Sequence, residues 1–476
     1  MDMLQVRGTQ IVDGQGRSVR WRGTSLGGWM NMENFINGYP GAEHALRTTF
    51  GQMLGPAKSE FFFDRLLDHF VTEADIAFMR ACGATAVRVP LNYRHFEADD
   101  RPYQYLEKGF QRLDRVLDWC GRHGLYAILD LHALQGWQGP DWHCDNASRH
   151  SLFWQHRDFQ DRVVELWEEI ARRYRGNATV AAYDLMNEPV SGQGNNYTSG
   201  LAPSDWERMN AVYRRLVKAI RAIDPEHIIV IEGDYFALRF TGLEAPFAEN
   251  LVYSSHNYIA PCLSADPYPG TFGGKVWDRG AIREYVDRHE GVVFARRHQV
   301  PLWVGEFGYV YNLPEAALPA RLQAFRDEID AFEEAGLHWA TWTYKDVGVM
   351  SWVTPPPESA YRRTIAPSVE AKLSLESDFW MEWLPESPAR RAVHGLLEVI
   401  RGRVDARDFE PAMSAKYLRQ VCLDVYAGAM LQPQFVRLFA DMSEEQLDAV
   451  LQSWRFENCV PNAALMGLLK GYFARP

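Results

Sequence analysis

The sequence predicts a (β/α)8 barrel of parallel strands, opened by an N-terminal β-hairpin and closed by a small C-terminal helical extension. Three observations predict it. Short aliphatic or β-branched runs alternate with amphipathic stretches eight times over about 330 residues. The runs are almost continuously apolar, as in Leu125–Leu131 (LYAILDL) and His227–Gly233 (HIIVIEG), the pattern of strands buried on both faces. The Gly-rich turns GxGxxG and GxxxxGK[ST], which mark the rival doubly wound sheet, do not occur.

The elements follow in order. Val6–Val19 reads as a hairpin, with Asp13-Gly14-Gln15-Gly16 between two extended runs, and is expected to close the bottom of the barrel. The predicted strands are Arg20–Gly27, Ala84–Pro90, Leu125–Leu131, Val180–Asn187, His227–Gly233, Leu251–His256, Leu302–Glu306 and His338–Tyr344. Leu106–Arg122, Phe159–Tyr174, Trp206–Ile223 and Arg321–Glu334 carry apolar residues at helical spacing. Pro189–Ser204, Ala260–Gly280 and Lys345–Ala366 are long insertions after strands, which puts them on the C-terminal face, where barrel enzymes hold their sites. Residues 1–404 read as a catalytic barrel and 405–476 as a helical appendage. Within the appendage Ala415–Leu431 and Ser443–Trp454 look helical, and Ser443-Glu444-Glu445 marks a helix start.

Composition narrows the partners. A formal net charge of −12 argues against nucleic acid or an anionic membrane and fits a neutral substrate. Aromatic residues make up 13%, which suits either stacking on sugar rings or a large core. No run is apolar for the 18 or more residues of a membrane span, so no transmembrane segment is expected. Met1–Gln5 has neither a basic nor an apolar signal region, so the chain reads as cytoplasmic, or as secreted if a signal has been removed. The six cysteines form no CxxC pair, and His143-Cys144-Asp145 lacks the spaced partners of a zinc site, so neither metal nor other cofactor is expected.

The chemistry sits at the predicted strand ends: Arg88, Asp130-Leu131-His132, Asn187-Glu188-Pro189, His256-Asn257-Tyr258, Gly305-Glu306 and Trp342. Ionisable groups at the ends of buried strands are costly unless paired or used. Glutamates ending strands four and seven suit glycoside hydrolysis, which needs one carboxyl to protonate the leaving oxygen and another to face the anomeric carbon. The acid is expected to have a raised pKa, and its partner to be held ionised by Arg88 and Tyr258. Asn187 can bond a sugar 2-hydroxyl.

This set (RVP with Arg88, His132, Asn187-Glu188-Pro189, His256-x-Tyr258, Gly305-Glu306 and Trp342) resembles glycoside hydrolase family 5 over residues 6 to 400. The resemblance implies a retaining β-glycosidase with Glu188 as general acid/base and Glu306 as nucleophile. It also implies that Arg88, His132, Asn187, His256, Tyr258 and Trp342 line the subsite for the non-reducing sugar. The loop HALQGWQGPDWHCDN is near the exo-glucanase branch without its Gly-Pro-Gly pattern, and Tyr344-Lys345-Asp346 is unlike typical cellulases. Long loops at three strand ends suggest a walled pocket and not an open groove, so an exo-acting enzyme on small β-glucosides or oligosaccharides is expected, with a β-mannosidase, a glycolipid hydrolase or a transglycosylase on the same machinery as alternatives. A non-catalytic carbohydrate-binding barrel would be expected to have lost one glutamate. Trp137, with Trp142, Trp277 and Trp352, either stacks on sugar or packs in the core. Lys345 and Asp346 either bond a terminal sugar or form an ordinary ion pair.

Overall fold

The computed structural model describes residues 1–192, 203–377, 386–409 and 411–475. Eight parallel strands close a barrel: β1 (Arg22–Ser25), β2 (Ala86–Asn92), β3 (Tyr126–Ala133), β4 (Val180–Asp184), β5 (Ile228–Glu232), β6 (Leu251–His256), β7 (Leu302–Phe307) and β8 (His338–Thr341). Each pairs with its sequence neighbour, and β8 pairs back to β1. Every residue of these strands is buried except the first of β3, which explains their near-continuous hydrophobicity. Gly23 on β1 is required by this closure, because a Cβ there would lie 1.8 Å from the carbonyl oxygen of Ala86 on β2.

The N-terminal hairpin pairs Gln5–Arg7 with Gln10–Val12, so its turn is at Gly8–Thr9; Asp13–Arg17 makes a second turn, in which Asp13 Oδ1 accepts from the backbone of Gln15 and Arg17. Leu4 and Ile11 join Trp21, Ala86, Ile128, Ile228, Val252 and Trp303 in the apolar cluster of the lower barrel. Burying these side chains plugs the bottom and leaves the upper end for polar groups.

The predicted helices appear as Glu107–His123, Arg157–Tyr174, Trp206–Ile223 and Leu318–Glu334. The long connection between β1 and β2 folds into three more helices of ten or more residues, Glu43–Leu54, Pro56–Phe70 and Glu73–Cys82. Part of the predicted insertion Pro189–Ser204 (193–202) lies outside the described residues. No helix among those described is long and apolar enough to cross a membrane.

The C-terminal segment shares the core of the barrel. The Phe473 ring stacks on Trp339 of β8 at 5.5 Å, and Trp454 packs at 4.7 Å from Phe70. Arg22 of β1 donates to the carbonyl of Arg475, and Val460–Pro461 forms a short antiparallel pair with Val353–Thr354. Ser443 caps Glu444–Leu451 in a capping box with Gln446, as the sequence signal at Ser443 implies.

Candidate active site

The upper end of the barrel holds a cavity of about 240 Å³ bounded by Glu33, His132, Trp142, His143, Glu188, Phe236, His256, Tyr258, Glu306 and Trp342, among others. A carboxylate oxygen of Glu188, one of Glu306 and a ring nitrogen of His256 lie within 4.8 Å of one another. Glu188 and Glu306 line this cavity and are 9% and 5% exposed.

Arg88, fully buried on β2, organises the floor. It donates to Glu306 Oε1 (2.6 Å), Asn187 Oδ1 (2.7 Å) and Asp184 Oδ2 (3.2 Å), and pairs with Asp130 and Glu232 at 3.2 Å each. One guanidinium cannot balance four full negative charges in a dry site. Burial pushes Asp130 up to about 8 and Asp184 well above the carboxylate range, so the floor sheds charge by holding protons. Burial, with Arg88 nearby, drives His132 down to about 3, and its Nδ1 lies 2.6 Å from Asp130 Oδ2. A neutral imidazole thus shares one proton with a carboxyl. Its ring stacks on Trp342, 5.3 Å away and 9° from parallel, building one wall of the cavity.

His256 behaves oppositely. Burial lowers its pKa, but Glu232, Glu306 and Glu188 outweigh burial and raise it well above the ordinary value. Its Nδ1 lies 2.6 Å from Glu188 Oε1 and 3.7 Å from Glu306 Oε2, and its Nε2 lies 3.2 Å from Glu232 Oε1. An imidazolium carries protons on both nitrogens and offers no lone pair, so the Glu188–His256–Glu306 cluster suits proton transfer better than cation binding. Gly305 leaves room for this ring, since a Cβ there would lie 3.0 Å from His256 Nε2.

Tyr258 donates to Glu306 Oε2 at 3.0 Å, which with Arg88 gives both oxygens of that carboxylate a donor. Glu188 has different neighbours. Burial raises its pKa, yet His143 (Nε2 3.2 Å from Oε2) and His256 more than offset burial and hold it below the usual range. The expectation of a raised acid is thus reversed in this site, because two imidazoles face the carboxyl and outweigh its burial.

The backbone here is strained. Glu188 has φ 45° although it precedes Pro189, and the turn is held by Glu188 N donating to Glu232 Oε2 and by Gln138 donating to the carbonyl of Asn187. Tyr235, Phe236 and Ala237 also sit at positive φ in a short turn after β5, anchored where Asp234 accepts from Ser191 N and Oγ. That turn presents Phe236 to the cavity, 6.0 Å from the His143 ring.

Of the sequence-predicted residues, His132, Glu188, His256, Tyr258, Glu306 and Trp342 line the cavity, while Arg88 and Asn187 lie buried beneath it. Asn187 spends its Oδ1 on Arg88, and its Nδ2 lies 3.2 Å from His132 Nε2. Three residues are elsewhere. Lys345 is fully buried and bonds the carbonyls of Phe70 and Trp454 and the carboxylate of Asp75. Asp346 accepts from the backbone of Gly348, Val349 and Met350 and from Ser351, closing a turn. Both are corrected to structural roles, because β8 ends at Thr341 and the chain then turns into the packing around Pro56–Phe70. Trp137 is likewise corrected: it donates to the carbonyl of Asp145, packs near His44 and is not among the cavity residues. Trp142 lines the cavity, whereas Trp277 and Trp352 are core.

Glu33, His143, Glu232, Asp184 and Phe236 were not among the sequence-derived candidates. Glu232 ends a strand as Glu188 and Glu306 nearly do, so reading every strand end for acids would have found it; the loop residues carry no such signal.

Residues 56–348 match the cellulase family, glycosyl hydrolase family 5. The chain is 36% identical to a β-xylosidase from Phanerodontia chrysosporium over 98% of both proteins. It is 25% identical to endoglucanase C of Acetivibrio thermocellus over 60% of this chain and 87% of that protein. It is 26% identical to a probable glucan 1,3-β-glucosidase A of Aspergillus clavatus over 50% of this chain and 55% of that one. A crystal structure described as a glycoside hydrolase shares the fold with a TM-score of 0.53 at 21% identity, covering 74% of this chain and 99% of that one.

Proposed function

The chain belongs to glycosyl hydrolase family 5, a family of retaining O-glycosyl hydrolases, and from that premise we propose that it is an exo-acting β-glycosidase that removes a single terminal β-xylosyl or β-glucosyl unit, with Glu306 as nucleophile and Glu188 as general acid/base. The observation that carries the reading is the pair of glutamate oxygens within 4.8 Å across one small cavity. Retaining enzymes hold their carboxyls at about 5–5.5 Å, too close for a water to stand between nucleophile and sugar.

The steps follow from the neighbours. Glu306, bonded by Arg88 and Tyr258, attacks the anomeric carbon, and the glycosidic oxygen leaves with a proton from Glu188. That proton reaches Glu188 from the hydrogen-bonded His256 as negative charge on Glu306 is consumed, since His256 loses part of what holds its proton. Water then attacks the glycosyl-enzyme, Glu188 accepts its proton, and the released Glu306 carboxylate restores the negative charge around His256, which takes the proton back from Glu188. The small cavity supports exo action, and the similarity to the Phanerodontia β-xylosidase along nearly the whole chain favours xylose over glucose.

The test is kinetic. Aryl β-xyloside and β-glucoside, compared by kcat/KM, identify the sugar, and release of single sugars from the corresponding oligosaccharides identifies exo action. Glu306→Ala should abolish turnover, with azide restoring it as a glycosyl azide of inverted configuration. Undiminished turnover in that variant removes the nucleophile assignment.

A further inference from the structure

The barrel does not build the cavity alone. Lys416 and Gln420 reach it from helix Pro411–Arg419 and the π-helical turn Gln420–Ala427 that continues it, outside the segment that matches the family. Gln420 is 1% exposed, lines the cavity, and its Oε1 has no hydrogen-bond partner among the described residues. A buried amide carbonyl without a donor is destabilising, and such groups in native proteins are concentrated where a ligand or water supplies the donor. π-Helical turns likewise recur at functional sites.

The side of the cavity is set by a chain of contacts. Lys416 Nζ lies 5.9 Å from the Phe236 ring, Phe236 lies 6.0 Å from His143, and His143 Nε2 lies 3.2 Å from Glu188 Oε2. The C-terminal segment therefore meets the cavity on the Glu188 side, where the leaving oxygen must be protonated. The glycosidase reading supplies the donors there, since a departing sugar carries hydroxyls and an aryl leaving group carries none.

Building on that reading, we propose that Gln420 binds the leaving group, its Oε1 accepting a hydrogen bond from a hydroxyl of the departing sugar. The C-terminal segment then contributes directly to the preference for sugar over aryl leaving groups.

The experiment uses the full chain and Gln420→Leu, with kcat/KM measured on an aryl β-xyloside and on xylobiose (the β-glucoside and cellobiose if glucose is preferred) and Tm measured without ligand. The disaccharide-to-aryl ratio should fall about five-fold, mainly through KM, the size of one neutral hydrogen bond. Tm should hold or rise, because an unsatisfied buried acceptor has been replaced by a hydrocarbon. Gln420→Met, closer in shape, gives the same comparison if the leucine variant folds poorly. An unchanged ratio, or equal loss on both substrates, overturns the assignment; a lower Tm with an unchanged ratio shows a structural residue instead. Wild-type protein inactive on both substrates overturns the glycosidase reading itself, which is a distinct result.

Discussion

His143→Leu offers a sharp test of the electrostatics around Glu188. In the native site the His143 ring, 3.2 Å from Glu188 Oε2, is the largest influence opposing burial and helps to hold that carboxyl below its usual range. Removing it leaves burial less opposed, so the Glu188 pKa must rise. Leaving the buried Glu188 carboxylate short of one polar neighbour costs about 1.5–3 kcal/mol. The proton for the leaving oxygen must be present on the hydrogen-bonded His256–Glu188 pair in the free enzyme, and the alkaline limb of kcat/KM against pH, which reports its loss from that pair, should move up. The apparent pKa belongs to the coupled Glu188–His256–Glu306 cluster, so the shift between the two proteins is the quantity to compare. Stability gives a second reading. A carboxyl whose folded pKa is depressed contributes stability above its unfolded value of about 4.3, and that contribution is lost as pH falls through the folded pKa. The variant should therefore melt about 2–3 °C below wild type at pH 7, with the gap closing below about pH 4. An alkaline limb that stays in place or moves down refutes the reasoning.

Two further changes probe the rest of the molecule. Lys345→Met leaves Asp75 buried without its cation, which should cost about 3–5 kcal/mol and lower Tm by about 3–5 °C, while KM for an aryl glycoside changes less than about twofold; a large KM increase at unchanged Tm would restore a sugar-binding role. Phe473→Ala removes a ring stacked on Trp339 of β8 and should cost about 3–5 kcal/mol, with a single melting transition by calorimetry; two separate transitions would show that the C-terminal segment folds as a unit of its own.

The strands were legible because burial on both faces leaves a signal at every position. Leu125–Leu131 and His227–Gly233 have few polar residues except at their ends, and observed and predicted boundaries agree closely there. The hairpin turn was placed too late because Asp13-Gly14-Gln15-Gly16 has stronger turn chemistry than Gly8-Thr9, although both turns form. At the site, strand-end residues were legible because the barrel points them all to one mouth. Glu33, His143 and Phe236 were not, since a loop residue's direction depends on contacts made by residues far away in sequence. The left-handed turn at Tyr235–Ala237, for instance, is anchored by Ser191. Lys345 and Asp346 misled for the opposite reason. Polar residues just past an apparent strand end look like site residues, and nothing local announces that Lys345 will be buried against Asp75, 270 positions earlier in the chain.

The two glutamates are chemically identical, and the proposed division of labour rests on the proton inventory of their partners. Glu306 is bonded by an arginine, which keeps its proton at any pH a protein survives, and by a tyrosine whose buried hydroxyl is held well above its ordinary pKa. Neither can deliver a proton to it, so this carboxylate is kept as an acceptor, which is what a nucleophile requires. Glu188 is bonded by an imidazole, a side chain that can give up its proton, and His256 is held protonated only by the summed charge of Glu232, Glu306 and Glu188. When Glu306 forms its bond to the sugar, one of those three charges disappears and the imidazolium becomes a stronger acid beside Glu188. The same event that spends the nucleophile thus favours protonation of the acid, and the low resting pKa of Glu188 becomes compatible with its role. The coupling depends on His256 touching both carboxyls: its Nδ1 lies 2.6 Å from one and 3.7 Å from the other.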